Sequence, residues 1–382
     1  MSTHLYLVSA QATPNLTPAL DPQVAPRRVI LLVSPDMHRR AGWLEQVLRS
    51  RGIRVDHWPL DDPWDVEHVQ FRVLELLEVE REALASSTLV LNATGGTKPM
   101  SIAAYEAFRA YDLPIFYVHP ERDRLIWLHP GDRPPRDLDN RLGLNAFLLA
   151  YGARVESSNS GGVPDRLRAL TDWLVRDVRI QGRALGILNW LAKETEGGLV
   201  SPEMESHHLR NQRLQALLDR FADEGLLEVQ GRRLRFPDEE ARFYVNGGWL
   251  EEHVFDVLQD LRGQLHNIQD VARSIDIVRE TSRGDRVPNE IDVACLAENR
   301  LYLVECKTRS WSGEGSAGTG ANALYRLDTL GDLLGGLQAR AMLVSYRDLP
   351  PHVLQRAADL GVLVCTGMRL PELAGQLANR LA

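Results

Sequence analysis

Short apolar runs and amphipathic stretches alternate along the first third of the chain. Arg28 to Val33 and Thr88 to Ala93 are almost unbroken apolar runs, the pattern of strands covered on both faces. His4 to Ser9, Ile53 to Trp58 and Pro114 to His119 read in the same way. Between these runs, Trp43, Leu44, Val47 and Leu48 recur at helical spacing over Arg39 to Arg51, and Gly52 closes that helix. A helix starts at Asn15, and Asp65 to Ala85 and Met100 to Ala110 supply two more. Strands and helices in this order predict a parallel, doubly wound α/β sheet over roughly the first 150 residues, with ligands at the carboxyl ends of its strands.

The pattern changes after Ser157 to Gly162, a Gly/Ser-rich break that reads as a linker. Helical spacing over Pro164 to Arg179, Gln181 to Lys193 and Arg210 to Glu224 leads to two short strands, Leu226 to Val229 and Arg232 to Phe236, around Gln230-Gly231. Helices followed by a small hairpin predict a winged-helix-like unit. Its basic residues are interleaved with Asp219, Asp223, Glu224 and Glu228, which favours a connector over a reader of DNA. A third unit comes next. It runs from a helix over Gly247 to Arg262 through strands Ser274 to Glu280, Asn289 to Leu296 and Leu301 to Lys307. A Gly-rich segment (Ser312 to Gly320), a helix from Ala321 to Leu334, a strand from Arg340 to Tyr346, a helix from Pro350 to Asp359 and a strand from Val362 to Thr366 complete it. The expected units are 1–156, 163–240 and 241–382.

Composition narrows the options. A length of 382 residues suits two or three domains, and a 44% apolar content lets each bury a core. A net charge of -8 excludes nucleic-acid binding by the whole surface, so any polynucleotide site is a local concentration of positive charge. Cys295, Cys306 and Cys365 sit within apolar runs and read as buried free thiols. With no leader-like N-terminus and no run of the ~18 apolar residues that spans a membrane, the expected location is the cytoplasm.

The strands at Asn289 to Leu296 and Leu301 to Lys307 alternate with period 2 around a polar turn. With Glu298-Asn299 at the tip, Asp292 falls opposite Glu305 and Glu290 opposite Lys307 on one face, while Ile291, Val293, Tyr302, Val304 and Cys306 take the other. Facing carboxylates can share a hard divalent ion, Mg²⁺ or Mn²⁺, with the backbone carbonyl of Cys306 as a further ligand and Glu251 or Glu252 on the preceding helix. Such a site would hydrolyse phosphodiesters, Lys307 orienting water or neutralising developing charge. The plain alternative is a solvated hairpin face with one cross-strand ion pair worth roughly 0.2–1 kcal/mol. A second constellation is Thr94-Gly95-Gly96-Thr97-Lys98-Pro99, where a buried strand runs into a helix. Paired glycines, Lys98 and the helix start suit an anion, yet the spacing departs from the Walker A pattern, and a tight structural turn explains the glycines equally well.

Both constellations carry a resemblance. Asp292 followed by Glu305-Cys306-Lys307 resembles the PD-(D/E)xK nuclease signature, with Glu290-Ile291-Asp292 in place of the Pro-Asp pair. It implies Glu251, Asp292, Glu305 and Lys307 as catalytic residues, Glu251 being favoured over Glu252, and Asp292, Glu305 and Cys306 around the metal. LNATGGTKPM, with LVSAQATPNL and LLVSPDM upstream, resembles a CARF domain, the Rossmann-like sensor of cyclic oligoadenylates in CRISPR defence. The order of the two motifs is similar to that of single-CARF ancillary nucleases activated by cyclic tetra-adenylate. That resemblance implies sensor contacts from Gln11, Asn15, Ser34, Met37, Thr94, Gly95, Gly96, Thr97, Lys98 and Met100. It also implies a homodimer, since one two-fold-symmetric activator needs two single-sensor chains. Duplex DNA, single-stranded DNA and RNA all remain open as substrates. Arg273, Arg279, Arg283, Arg286, Arg309 and Arg326 are candidates to line the groove. Two other readings stand beside this one: a nucleotide-sensing transcription regulator without catalysis, and a constitutive DNA-repair nuclease.

Overall fold

The computed structural model describes residues 2–81, 88–195, 198–281, 284–308, 311 and 319–381. Seven strands form the N-terminal sheet: β1 (Ser2–Leu7), β2 (Arg28–Val33), β3 (Arg54–Pro59), β4 (Thr88–Asn92), β5 (Ile115–His119), β6 (Arg124–His129) and β7 (Arg136–Asp137). Their spatial order is β3-β2-β1-β4-β5-β6-β7, the first five parallel and the last two added as antiparallel edges. Alternation along each strand feeds two cores. Leu5, Leu7, Ile30 and Leu32 pack on one side, and Tyr6, Val8, Leu31 and Val33 on the other. Helices Thr13–Leu20, His38–Ser50, Val66–Val79 and Lys98–Ala110 follow the predicted alternation. The end of the predicted helix over Asp65 to Ala85 lies outside the described residues.

The C-terminal sheet has the order β15-β14-β13-β12-β11-β8. It is built from β11 (Ile268–Glu280), β12 (Arg286–Ala297), β13 (Arg300–Lys307), β14 (Arg340–Ser345) and β15 (Leu363–Thr366). Its edge is formed by β8 (Ala153–Asn159), a strand that follows directly on the N-terminal domain. The expected linker therefore begins inside a strand: Ser157 pairs with Asp276 through both backbone register and a 2.6 Å side-chain hydrogen bond. The expected boundary at 156 cuts through that strand as well.

Between the sheets, helices Asp165–Arg176, Val178–Lys193 and Gln212–Asp223 precede the hairpin of β9 (Glu228–Gln230) and β10 (Arg233–Arg235), as the spacing predicts. Gly231 at its turn has φ +61°, where a side chain would be strained. No packing break separates this unit from the C-terminal sheet and its helices. Leu185, Leu188 and Phe221 share one apolar cluster with Trp249 and Phe255 of helix Trp249–Gln264 and with Val293 and Val304 of the sheet. A second shared cluster joins the two ends of the molecule: Tyr6 and Val8 pack in the same core as Leu301, Leu303 and Leu330. All three cysteines are buried and free, as expected. Among the described residues, no helix is long and apolar enough to cross a membrane.

Candidate active site and sensor loop

The hairpin of β12 and β13 turns on Glu298 and Asn299, both at positive φ (48° and 56°), the geometry of a tight two-residue connection. Its register is the one the alternation predicts, with Ala297 opposite Arg300, Cys295 opposite Tyr302 and Val293 opposite Val304. Pairing stops there, one step short of Asp292 and Glu305. Beyond that point the strands part, and a carboxylate oxygen of Asp292 accepts a 2.7 Å hydrogen bond from the backbone N–H of Cys306 in place of a ladder bond. Side chains also change face at this point: Val293 packs with Val304, whereas Ile291 joins the opposite cluster. Across the sheet the same irregularity passes through Ser274, at φ 47°, between the paired residues Arg273–Val293 and Ile275–Ile291. The local break turns Asp292 into the fork, as irregularities in strands do beside functional sites.

Four ionisable groups meet in or beside the fork. Lys307 places its ammonium 2.5 Å from Glu305 and 3.7 Å from Asp292, so the expected pairing of Lys307 with Glu290 gives way to contacts with these two acids. Asp292 and Glu305 are both buried, whereas Glu290 is exposed. Burial, reinforced by the negative charge of Glu305, raises the Asp292 carboxyl to about 6 despite the opposing effect of Lys307. The fourth group is Glu251, in the first turn of helix Trp249–Gln264. Burial raises it to about 9, and Asp292 and Glu290 push the same way. One of its carboxylate oxygens is buried without a hydrogen-bond partner. Glu252 faces elsewhere: it approaches Arg273 at 4.0 Å, and Asp292 is not among the charges acting on it. Glu251 is thus the helix glutamate that the fold brings to Asp292.

The start of that helix is set by a kink over Tyr244–Gly248, where Gly247 leaves helical geometry. Gly247 takes φ 121°, and a Cβ there would overlap the Thr308 hydroxyl, so the residue after Lys307 packs directly on the turn before Glu251. Asn189 locks the same spot. Its side-chain oxygen accepts from the Thr308 hydroxyl at 2.8 Å, and its amide donates to Leu185 and Val245 carbonyls at 3.1 Å each. Sequence reading missed Asn189 because the contact spans more than a hundred residues and no local pattern marks it.

The donor set suits a hard divalent cation in kind: buried carboxylate oxygens, one of them unpartnered, around a point already occupied by an ammonium. Among the described residues no group of three His, Cys, Asp or Glu side chains is arranged to hold a metal ion. The arginines expected around the groove divide. Arg273 is buried, donates to the Gly161 carbonyl at 2.8 Å and stacks on Phe255 at 4.6 Å, which makes it part of the packing. Arg326 donates to the backbone carbonyl of Glu290 at 2.8 Å, and Arg286 pairs with Glu156 at 2.7 Å. Arg279 lines a cleft at the other end of β11, and Arg283 and Arg309 lie outside the described residues.

At the N-terminal sheet, β4 ends in Asn92, whose side chain organises the adjoining loop. Its oxygen accepts from the Thr94 hydroxyl at 2.6 Å and from the Thr94 backbone N–H at 3.1 Å. Its amide donates to the Pro14 carbonyl and to Asn15, and Asn15 donates in turn to the Leu7 carbonyl. A Cβ on Gly95 would overlap the Leu7 carbonyl oxygen, so the glycine lets two strand ends touch. Gly96 has φ 72°, and Thr97 caps helix Lys98–Ala110 through the Met100 N–H at 3.2 Å. Asn15 and Met100 are buried and the Thr94 hydroxyl is engaged twice, so these three hold the loop in shape. Ser34 is buried against Asp36 at 2.6 Å, and Met37 is half-buried. Lys98 remains exposed at the helix start. Gln11 lines a cleft of about 790 Å³ between the strand ends and the C-terminal domain, where it packs on Gly336.

Comparison with known proteins matches both halves of the chain. The family model of the Card1 CARF domain matches residues 3–146, and that of the Card1-like endonuclease domain matches 238–382. A nuclease domain joined to a CARF sensor is therefore the class that fold and site define. The chain belongs to the Card1-like family. It is 30% identical to protein VC1899 from Vibrio cholerae, whose crystal structure aligns over 100% of this chain and 98% of that one with a TM-score of 0.90. Can2 from Sulfobacillus thermosulfidooxidans, solved in complex with cyclic tetra-adenylate, is 25% identical over the whole of both chains, with a TM-score of 0.81. A type III CRISPR defence DNA nuclease activated by cyclic oligoadenylate shares the fold at 24% identity and a TM-score of 0.56, over 91% of this chain and 46% of its own. No curated protein matches the chain.

Proposed function

We propose that the chain is a metal-dependent endonuclease of type III CRISPR defence, hydrolysing phosphodiesters in DNA or RNA when its CARF domain binds cyclic tetra-adenylate. The observation that carries the catalytic half is the fork itself, where Asp292, Glu305 and Lys307 meet beside the unpartnered carboxylate of Glu251. Support for the sensing half comes from the CARF match and from the cyclic tetra-adenylate held by Can2.

Asp292 and Glu305, with the Cys306 carbonyl and Glu251, would hold Mg²⁺ or Mn²⁺. When bound, such an ion polarises the phosphodiester and acidifies the attacking water. The chain's own groups do the rest. The hydrogen bond from the Cys306 N–H fixes one oxygen of Asp292 and aims the other. Lys307, displaced from its two carboxylates, orients the water and meets charge developing on the phosphoryl oxygens. Glu251 is protonated near neutral pH while the site lacks a cation, because its carboxyl lies at about 9. Binding a cation therefore releases its proton.

In the sensor, Gln11, Met37 and Lys98 are offered to the activator, with Asn15, Ser34, Thr94, Gly95, Gly96, Thr97 and Met100 shaping the strand ends and the loop behind them. One chain supplies half of a two-fold-symmetric site, so the active species is a homodimer. Activation requires cyclic tetra-adenylate to bind the cutting arrangement of the dimer more tightly than the resting one.

The test is incubation with Mn²⁺ and plasmid, single-stranded DNA or RNA, with and without cyclic tetra-adenylate. Cleavage that needs both metal and activator, and that disappears in Asp292→Ala, is expected. Unchanged cleavage by Asp292→Ala would refute the site, and cleavage indifferent to cyclic tetra-adenylate would make the protein a constitutive repair nuclease. Tight, sequence-specific duplex binding with no cleavage in Mn²⁺ would make it a regulator.

A further inference from the structure

A second cleft, of about 610 Å³, opens in the connector close to the catalytic fork, and none of the acids described above lines it. Arg183, Trp190 and Lys193 come from helix Val178–Lys193, His207 and His208 from the short helix Ser206–Leu209, and Asn246 from the kinked turn that leads to Glu251. The volume is in the range of small-molecule sites.

Its chemistry is specific. Trp190 leaves 44% of its surface exposed, less than Trp64 at 70% but, unlike Trp64, on the wall of a cleft. Two imidazoles stand next to it: His208 lies 6.4 Å from Trp190, and His207 lies 4.1 Å from His208. Arg183 and Lys193 are exposed cations on the same helix; Lys193 pairs with Glu194 at 3.1 Å, Arg183 has no acidic partner among the described residues, and the one acid lining the cleft, Glu205, is held by His207 at 3.2 Å. The side-chain oxygen of Asn246 is buried and unpaired, a polar atom that costs about 1–3 kcal/mol unless something satisfies it. A flat π surface, flanking cations and an unsatisfied amide match a nucleobase with its neighbouring phosphates.

Placement ties the cleft to the reaction. Asn189, the residue before Trp190, is bonded to Thr308, the residue after Lys307. Asn246 stands five residues before Glu251 on the turn that Thr308 packs against. The cleft and the fork are thus braced by the same residues.

Resting on the nuclease reading of the fork, we infer that the cleft seats one unpaired nucleobase of the strand being cut. The base stacks on Trp190, its polar edge meets the Asn246 amide, and Arg183 and Lys193 hold the flanking phosphates. A base within a duplex reaches such a cleft only after unstacking, so the site favours unpaired strand.

Fluorescence anisotropy tests this with labelled single-stranded oligodeoxynucleotides, Mg²⁺, cyclic tetra-adenylate and the full-length Asp292→Ala protein, which keeps the strand uncut. Adding Trp190→Ala is expected to weaken binding roughly five- to hundred-fold, the cost of losing one stacked base, with most affinity retained by Trp190→Phe. Removing Arg183 or Lys193 should flatten the salt dependence. A series of oligonucleotides with one abasic residue walked along the strand should show a loss at one position, and Trp190→Ala should erase that dependence. Unchanged affinity in a Trp190→Ala protein with native circular dichroism would overturn the inference. So would a dimer that falls apart on this substitution, which would make the cleft a contact between chains. If Trp190→Ala does not fold, the abasic series on the unsubstituted cleft still decides, and a flat series overturns the site. Cleavage by Asp292→Ala itself would strike the fork assignment, while the binding data would still report on the cleft.

Discussion

The loop after β4 and the fork between β12 and β13 both lie where strands end, yet they are built on opposite principles. In the loop the inward polar groups are neutral and paired: Asn92, Asn15 and Thr94 bond to one another and to the Pro14, Leu7 and Val118 backbone. Such a network has its shape before any ligand arrives. In the fork, carboxylates crowd a single lysine, and one glutamate oxygen is buried with no partner. Excess negative charge there is tolerated through raised carboxyl pKa values. The contrast is between polar groups that satisfy one another and charges that do not: every inward polar side chain of the loop has a partner, and one glutamate oxygen of the fork has none.

The comparison can be broken at either site. The largest effect is expected from Asp292→Ala, which should reduce activator-dependent cleavage to background while circular dichroism and dimer mass stay unchanged. Lys98→Ala should raise the cyclic tetra-adenylate concentration for half-maximal activity about tenfold, the loss of one charge-assisted phosphate contact, with maximal rate preserved. Gly95→Ala should cost about 1–3 kcal/mol of stability, because its Cβ would force apart β1 and β4, and a lowered melting temperature reads this directly. The smallest and most diagnostic effect concerns pH. A carboxyl raised by folding binds protons in the native state that the unfolded chain has released, so its contribution is complete at acid pH and lost as pH rises towards the folded value. Glu251 and Asp292, at about 9 and about 6, should make the metal-free protein less stable from about pH 5 to 9. Glu251→Gln should remove much of that slope and raise the melting temperature at pH 8 by a few degrees, whereas Mg²⁺ should stabilise the unsubstituted protein more as pH rises.

Local periodicity carried much of this architecture. Period 2 placed β12 and β13 in register to the residue, and the polar turn at Glu298-Asn299 lies where the alternation ends. The βα alternation up to His119 needed only apolar runs and helix spacing. The features that stayed hidden depend on distant pairing. Nothing in Ala153–Asn159, five of its seven residues polar, says that it joins a sheet whose neighbouring strand starts more than a hundred residues later. Arg273 looked like a groove residue because its burial under Gly161 and Phe255 is tertiary. Alternation alone also extended the ladder to Asp292 and Glu305, where the backbone in fact swaps faces. Asn92, read only as part of an apolar run, gave no sign that its side chain braces the loop.

Strand β8 has a consequence for how such proteins are inherited. Val155 pairs with Ile277 and Arg154 with Val278, so a stretch encoded beside the sensor closes the sheet of the nuclease. A gene exchange that joined a foreign sensor after Asn159 would replace the bordering strand and strip β11 of its neighbour, leaving a bare edge prone to pair with other chains. Exchange is clean only upstream of Ala153, so the two halves travel through evolution with their seam inside the nuclease, and a chimera designer has to cut where the sheet does.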